Sequence, residues 1–234
     1  NGAAVACLGL LDMRQYFGGC GVPCRGIAAV AVEPGERGRG TATLMMAAML
    51  EETRAAGIPV STLYPATLPL YAKVGYARAG DRITYRLPFG VIRGLRPDPN
   101  PELIIPVNRS TLAGMQAERG RRTNGLLDRC ELLWQRALDS AAKPLDTWLI
   151  PGDDGPEGYL TMGAKSPDRT LHVEDWVALT PRAGRAILGF LAGWHSQAHA
   201  ITWAGGPEDI LIHLLPEVGA GIASWEQWML RITD

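Results

Sequence analysis

The sequence has no long apolar run, no surplus of either charge and few cysteines. No stretch approaches the roughly 20 consecutive apolar residues that a bilayer-spanning helix needs, so the chain reads as having no membrane partner. Lysine plus arginine number 23 against 24 acidic residues, a formal net charge of −1. That balance excludes a bulk electrostatic pull toward nucleic acid or an anionic membrane. No stripe of interleaved aromatic and basic residues compensates for it. Cys7, Cys20, Cys24 and Cys130 are too few for the disulfide framework of a chain this long. Cys20 and Cys24 have a spacing that can hold zinc, but no second Cys or His pair follows nearby, so no metal is expected. Reduced thiols in a cytoplasmic protein are the simpler reading. The opening, Asn1-Gly2-Ala3-Ala4, lacks an initiator Met and a basic n-region. It reads as the start of a fragment rather than as a signal peptide.

What is present suits two folded domains. The chain has 234 residues, 47% of them hydrophobic, enough for two small cores. Pro97-Asp98-Pro99-Asn100-Pro101 reads as an extended linker, because proline fixes φ and removes a donor. All seven tryptophans, Trp134 to Trp228, follow it. The expected division is a first domain over 1–90, a linker over 91–101 and a second domain over 102–234.

Within the first domain, Ala3–Gly18 reads as a strand or hairpin arm, and Gly18–Gly21 as a turn. Gly26–Val32 reads as a strand buried on both faces. A helix is expected to start near Gly38 or Gly40, with Leu44, Met45, Ala48 and Met49 on one apolar face, and to stop at Gly57. Val60–Tyr64 is the next strand. A short helix opens at Pro69 and ends at Gly75, and a strand runs over Tyr76–Leu87. The second half repeats this order. Leu103–Val107 reads as a strand, and a helical stripe runs from Leu126 to Leu138. Thr147–Ile150 and Gly158–Ala164 read as a hairpin, and Val173–Leu179 as a strand. Pro181 begins a helix with Ile187, Phe190, Leu191, Trp194 and Ala198 on one face. A strand, a short helix and a final strand over Ser224–Ile232 follow. Val32-Glu33-Pro34 aligns with Leu179-Thr180-Pro181, so the chain reads as a tandem repeat of one α/β unit.

The chemically informative stretch runs from Val30-Ala31-Val32 through Glu33-Pro34-Gly35-Glu36 to Arg37-Gly38-Arg39-Gly40-Thr41-Ala42-Thr43. A strand leads into a loop rich in Gly and Arg, and the loop opens a helix. Amides at a helix N-terminus are unpaired, and with the helix dipole they form an anion site. Gly38 and Gly40 let a ligand approach the backbone, and Arg37 and Arg39 add positive charge. The chemistry points to a phosphate or pyrophosphate; a solvated basic turn before an ordinary helix would carry the same residues. The loop lacks the Gly-Lys-Ser/Thr ending of a P-loop, and position 43 is not the third glycine of a dinucleotide fingerprint.

Arg37-Gly38-Arg39-Gly40-Thr41-Ala42 resembles the Arg/Gln-x-x-Gly-x-Gly/Ala signature of the GNAT superfamily of N-acetyltransferases. Leu70-Tyr71-Ala72-Lys73-Val74-Gly75-Tyr76 resembles a late segment of the same superfamily. Gln15-Tyr16-Phe17-Gly18-Gly19, Gly26-Ile27-Ala28-Ala29-Val30-Ala31-Val32, Leu63-Tyr64-Pro65-Ala66-Thr67 and Trp225-Glu226-Gln227-Trp228-Met229-Leu230-Arg231 are similar to the enhanced intracellular survival (Eis) aminoglycoside acetyltransferases, which carry two tandem GNAT regions. The resemblance implies an α/β (α+β) fold: tandem GNAT-like units, each a mixed, mostly antiparallel twisted sheet with helices packed on it. It implies acetyl transfer from acetyl-CoA to a primary amine, with an aminoglycoside as the acceptor class. Main-chain groups of Val30, Ala31 and Val32 would meet the pantetheine arm. Arg37, Gly38, Arg39, Gly40, Thr41, Ala42 and Thr43 would surround the pyrophosphate, with Ala66 and Thr67 close by. Tyr71 would be the general acid. The resemblance further implies a cytoplasmic homo-oligomer, a hexamer, and marks the N-terminal start and a sterol-carrier-like C-terminal domain as missing from this chain. The alternative is a non-catalytic acyl-CoA-binding or assembly module. The second repeat lacks the glycine signature, since Arg182-Ala183-Gly184-Arg185 follows Pro181, so one coenzyme site is expected.

Other residues read as structural. His195 and His199 are four apart on the expected helix without the Glu of a zinc-protease motif, which favours a packed pair. The tryptophans read as core. Arg119, Arg121 and Arg122 read as a solvated loop, and Asp153-Asp154 as a turn lacking the further ligands of a calcium loop. Asp234 has nothing to bring it near Tyr71.

Overall fold

The computed structural model describes residues 4–140, 143–163 and 166–233. In chain order the elements begin with β1 (Ala6–Phe17), β2 (Cys20–Val32), a 3-10 turn (Pro34–Glu36), α1 (Thr41–Ala55), β3 (Val60–Leu63), α2 (Leu68–Lys73) and β4 (Ala77–Pro88). Next come α3 (Phe89–Ile92), β5 (Glu102–Leu103), α4 (Arg109–Arg122), β6 (Leu127–Asp128) and α5 (Glu131–Leu138). They are followed by β7 (Asp139–Ser140), β8 (Lys143–Pro144), β9 (Asp146–Ile150), β10 (Gly158–Met162) and β11 (Thr170–Ala178). The chain closes with α6 (Pro181–Ala192), β12 (Ala200–Gly205), α7 (Ile210–His213) and β13 (Gly221–Ile232).

Two compact units form, and they interleave in sequence. The first comprises Asn1–Asp81, Thr123–Cys130 and Glu226–Asp234; the second comprises Arg82–Arg122 and Glu131–Trp225. This differs from the expected division into 1–90 and 102–234. The stretch 91–101 is not a free tether either. Ile92 is fully buried in the second unit's core, and the backbone at Arg96 presses so closely on Gly189 that a Cβ there would lie 2.3 Å away.

In the first unit, β1 and β2 form a long antiparallel hairpin, closed by Gly18 and Gly19 at φ 55 and 80. Two successive positive-φ residues match the right-handed twist of the strands, which is why glycines stand there. β6 pairs with the outer edge of β1, β3 runs parallel to β2, and β13 pairs antiparallel with β3. Helix α1 supplies the β2–β3 crossover that a parallel pair requires. It ends in a Schellman closure: the Gly57 amide bonds to Arg54 O, the Ile58 amide to Thr53 O, and Gly57 takes φ 68. The face that α1 buries is Met46, Met49, Leu50 and Thr53; of the expected face Leu44, Met45, Ala48 and Met49 only Met49 is buried, and Leu44 is 72% exposed. Met46 and Met49 pack with Ile27, Leu63, Tyr71, Tyr76 and Met229 in one core.

The second unit has a sheet ordered β5–β9–β10–β11–β12–β4, in which only the β11–β12 pair is parallel among the described strands. The β11–α6–β12 crossover repeats β2–α1–β3, as the sequence alignment anticipates. Several local expectations are corrected. Of the strand expected over Leu103–Val107 only Leu103 is in a strand, the two-residue β5, and Leu126–Leu138 splits into β6 and α5. Arg119, Arg121 and Arg122 lie on α4, where a loop is expected. Arg119 donates to Trp176 O at 2.8 Å and stacks 4.1 Å above the Trp176 ring, while Arg121 and Arg122 both pair with Glu118. α6 ends at Ala192, so His195 and His199 share no helix face. Trp134, Trp176, Trp203 and Trp228 are buried, but Trp225 is 61% exposed. Ala164 and Asp234 lie outside the described residues. No helix among the described residues is long and apolar enough to cross a membrane.

Candidate functional site

The site is built on the far end of β2. Through Ile27 this strand is paired on both sides, with β1 and with β3 in register Ile27↔Leu63. β3 ends there and β2 continues five residues further. The expected two-sided burial therefore holds only as far as Ile27; Ala29 and Ala31 are exposed and Val30 and Val32 half-buried. The β1–β2 register slips between Cys7 and Gly9, where β2 carries an extra residue, and Ala29 sits at φ 50. An extra residue in one strand is a β-bulge, which bends the strand and re-aims its main-chain groups. The Glu33 amide bonds back to Val5 O at 2.8 Å, so Glu33 faces β1. By strand alternation the main-chain groups of Val32 and Val30 turn to the opposite edge, the one β3 leaves open. Arg37 Nε donates to Val32 O at 3.3 Å, as that orientation requires.

The loop that follows brings its amides toward the same region. Gly38 and Gly40 take φ 77 and 84, and a Cβ on either would meet nothing within 4 Å. Gly40 is the N-cap of α1 and no side chain caps the helix. The first main-chain bond of α1 runs from Leu44 N–H to Gly40 O at 3.0 Å, so the amides of Thr41, Ala42 and Thr43 precede any helical partner. Thr41 Oγ1 bonds to Glu36 O, and Arg39 pairs with Glu36 at 3.1 Å on the surface. The corresponding start of α6 is different. Thr180 Oγ1 accepts from the Ala183 amide and donates to Glu157 Oε2 at 2.6 Å. That N-terminus is already capped and stands beside a carboxylate.

Tyr71 lies on α2, which begins at Pro69 in its first turn; Thr67 is the N-cap and, like Ala66, is exposed. The Tyr71-to-Tyr76 spacing is another Schellman closure. The Tyr76 amide bonds to Tyr71 O, the Gly75 amide to Ala72 O, and Gly75 takes φ 85. The side chains of the two tyrosines meet edge to face, with centroids 6.2 Å apart at 74°. That contact between the outer residues of the closure is the usual companion of the motif. Both rings are buried, and Val30 and Leu68 pack on the same core. β2, α1 and α2 thus converge, bringing Val30, the α1 face and Tyr71 around one cluster.

The two phenols differ in their hydrogen bonding. Burial raises both, Tyr76 to about 12. Tyr76 Oη lies 2.6 Å from Ser61 Oγ, and Ser61 Oγ donates to Arg25 O at 2.9 Å. A serine hydroxyl has one proton and a carbonyl can only accept. The proton between Tyr76 and Ser61 therefore comes from Tyr76. The Tyr71 hydroxyl has no hydrogen-bond partner among the described residues. Arg231, which ends the stretch Trp225–Arg231 and carries no site role in the sequence analysis, donates to Val74 O and lies against Gly75. Nothing local could have signalled it, because β13 and α2 are about 160 residues apart in sequence. Among the described residues no group of three or more His, Cys, Asp or Glu is placed to hold a metal ion.

The strand, loop and helix thus form a β–α–β crossover whose first strand is bulged and splayed and whose helix start is an uncapped glycine loop. Two models of the acetyltransferase (GNAT) domain match the chain, over residues 1–79 and 125–232. The chain belongs to the GNAT superfamily. It is 27% identical to an uncharacterised N-acetyltransferase of Streptomyces griseus, over 93% of this chain and 58% of that protein. It is 26% identical to N-acetyltransferase Eis of Mycobacterium tuberculosis, over 93% of this chain and 56% of that protein. The crystal structure of a GCN5-related N-acetyltransferase from Anabaena variabilis superposes with a TM-score of 0.91 at 35% identity, over 97% of this chain and 59% of that one. The chain therefore spans somewhat more than half the length of these relatives.

Proposed function

We propose that this chain carries the coenzyme site of an N-acetyltransferase that moves an acetyl group from acetyl-CoA to a primary amine by direct attack. The observation that carries the proposal is the open edge of β2 at Val30 and Val32, leading into the uncapped start of α1. The fit to the coenzyme rests on that edge and on the empty space at Gly38 and Gly40. In this reading the main-chain groups of Val30 and Val32 hold the pantetheine arm, while Ala31 between them, the register partner of Cys7, holds the strand to β1. Arg37, Gly38, Arg39, Gly40, Thr41, Ala42 and Thr43 hold the pyrophosphate through amides and positive charge. Ala66 and Thr67 flank it. The capped start of α6, with Glu157 beside it, favours one such site per chain.

Acetyl-CoA supplies a thioester whose carbonyl carbon a neutral amine attacks; a C–N bond forms and the C–S bond breaks. Tyr71 gives its hydroxyl proton to the departing sulfur, and the attacking nitrogen releases its extra proton to solvent, from which the Tyr71 phenolate is reprotonated. Burial raises Tyr71, so it stays protonated at neutral pH. Its neighbour Tyr76 has already committed its proton to Ser61, which favours Tyr71 for the task. A free thiol titrates near 8.5 and a tyrosine near 10, so the transfer in water is uphill by about 2 kcal/mol. A thiolate released into the same buried setting is raised as well, which offsets the rise of Tyr71.

The acceptor class we assign is a small-molecule primary amine; an aminoglycoside is the specific choice by resemblance to Eis, as are action in the cytoplasm and assembly into a hexamer. The test is thiol release from acetyl-CoA with kanamycin as acceptor, beside calorimetric binding of the coenzyme. Release that falls about 100-fold in Tyr71→Phe with binding intact supports the acid role. Binding without release in the wild type supports the other reading, an acyl-CoA-binding or assembly module. No binding at all removes both.

A further inference from the structure

We infer that Tyr76 and Ser61 form a positioning pair that orients the Tyr71 ring against β2; this rests on the acid role proposed for Tyr71. The Tyr76 phenol donates to Ser61 Oγ at 2.6 Å, and Ser61 donates to the main-chain carbonyl of Arg25 at 2.9 Å. Ser61 and Arg25 are register partners on β3 and β2. The two bonds run from the start of β4 through β3 to β2, the strand whose next residues form the splayed edge. Tyr76 is 3% exposed and Ser61 fully buried, so no water competes for these bonds.

Tyr76 in turn fixes Tyr71 twice. Its amide closes the α2 terminus on Tyr71 O at 3.1 Å, and its ring meets the Tyr71 ring edge-on at 6.2 Å. Arg231 holds the intervening turn by donating to Val74 O. The Tyr71 hydroxyl has no partner of its own among the described residues to hold it. Its direction is therefore set from the ring side, through Tyr76. A buried hydroxyl that cannot rotate is a stop: while Tyr76 donates to Ser61, its ring edge cannot slide toward or away from Tyr71. Positioning of this kind acts on the chemical step, since a displacement of about 1 Å can cost about 100-fold in rate.

The test uses Tyr76→Phe, which keeps the ring contact and leaves the Ser61–Arg25 bond intact. Thiol release from acetyl-CoA with kanamycin is measured in the wild type, Tyr71→Phe, Tyr76→Phe and the double variant. We expect kcat to fall about tenfold in Tyr76→Phe with KM for acetyl-CoA unchanged. The double variant should be no slower than Tyr71→Phe alone, because the pair acts through Tyr71. The second readout needs no turnover: in protein labelled with [13Cζ]tyrosine, the Tyr71 resonance should move in Tyr76→Phe. A Tyr71 resonance that stays in place overturns the inference, whatever the kinetics. A kcat for Tyr76→Phe equal to wild type, beside a slow Tyr71→Phe, overturns it and leaves the acid role standing. A wild-type rate in Tyr71→Phe instead removes the acid role, and the resonance alone then decides whether Tyr76 positions the ring.

Discussion

Asp12 and Arg25 face each other across the β1–β2 hairpin as register partners, joined by a two-pronged ion pair. Arg25 Nε lies 2.7 Å from Asp12 Oδ1, and a second guanidinium nitrogen 3.0 Å from Oδ2. The side chain of Arg25 is only 8% exposed, whereas that of Asp12 is 60% exposed. The same guanidinium reaches Thr53 and Glu52 on α1, so it also ties the helix to the sheet. The hydrogen bond from Arg25 holds the Asp12 carboxyl below its ordinary value. A depressed folded value adds stability at pH above about 4, where the unfolded carboxylate is ionised. That stability is lost as pH falls through the lower, folded value. Asp12→Asn should lower stability at pH 7 by about 1 kcal/mol: the buried guanidinium loses its charged acceptor, but the carboxylate is largely exposed and solvent screens the pair. The gap between variant and wild type should close in urea titrations at progressively lower pH. A gap that persists unchanged into strong acid would contradict the linkage.

Gly40 and Gly75 share a backbone angle and differ in surroundings. Their φ values are 84 and 85, but a Cβ at Gly40 meets nothing within 4 Å, whereas one at Gly75 would lie 1.9 Å from an Arg231 nitrogen. Gly40→Ala should cost only the left-handed strain, about 1 kcal/mol. Gly75→Ala should cost more, since Arg231 must also leave Val74 O. On coenzyme affinity the order should reverse, with Gly40→Ala weakening acetyl-CoA binding more than Gly75→Ala. Chemical denaturation and calorimetry check both orders.

The bulge can be probed at Ala29, which holds φ 50 without being glycine. It is exposed, so added volume is not the issue. A β-branched residue tolerates this conformation worst. Ala29→Val should lose about 1–3 kcal/mol, and Ala29→Gly should be at least as stable as wild type. Equal stability of all three proteins in urea would mean that β2 is not bulged at this point.

The thiols should separate by reactivity. Cys24 is 1% exposed, and burial pushes its thiol up to about 12. Cys7 and Cys20 are exposed. Since the thiolate is the reactive form, a disulfide reagent at pH 8 should label Cys7 and Cys20 rapidly and spare Cys24 until denaturant is added. Peptide mapping after a short exposure reads the outcome; prompt labelling of Cys24 in the native protein would refute its burial.

The sequence alone determined the features whose causes are local. The loop from Arg37 to Thr43 was legible because glycines at positive φ and an uncapped helix start are encoded within seven residues. The end of the short helix at Gly75 was legible because a helix stop is set by one turn of chain. The repeat was legible through two strand–proline junctions that each open a helix. Only the tertiary structure decided what depends on residues far apart. Which face of α1 is buried follows from where β2 and β3 lie, so Leu44 is exposed and Met46 is not. Arg119 is anchored rather than solvated because Trp176, 57 residues away, gives its guanidinium a carbonyl and a ring. The units interleave because strand pairing joins Met229 to Leu63, and hydrogen bonds between strands carry no memory of sequence distance. For the same reason the commitment of the Tyr76 proton, which sets it apart from Tyr71, could be read only once Ser61 and Arg25 stood side by side on neighbouring strands.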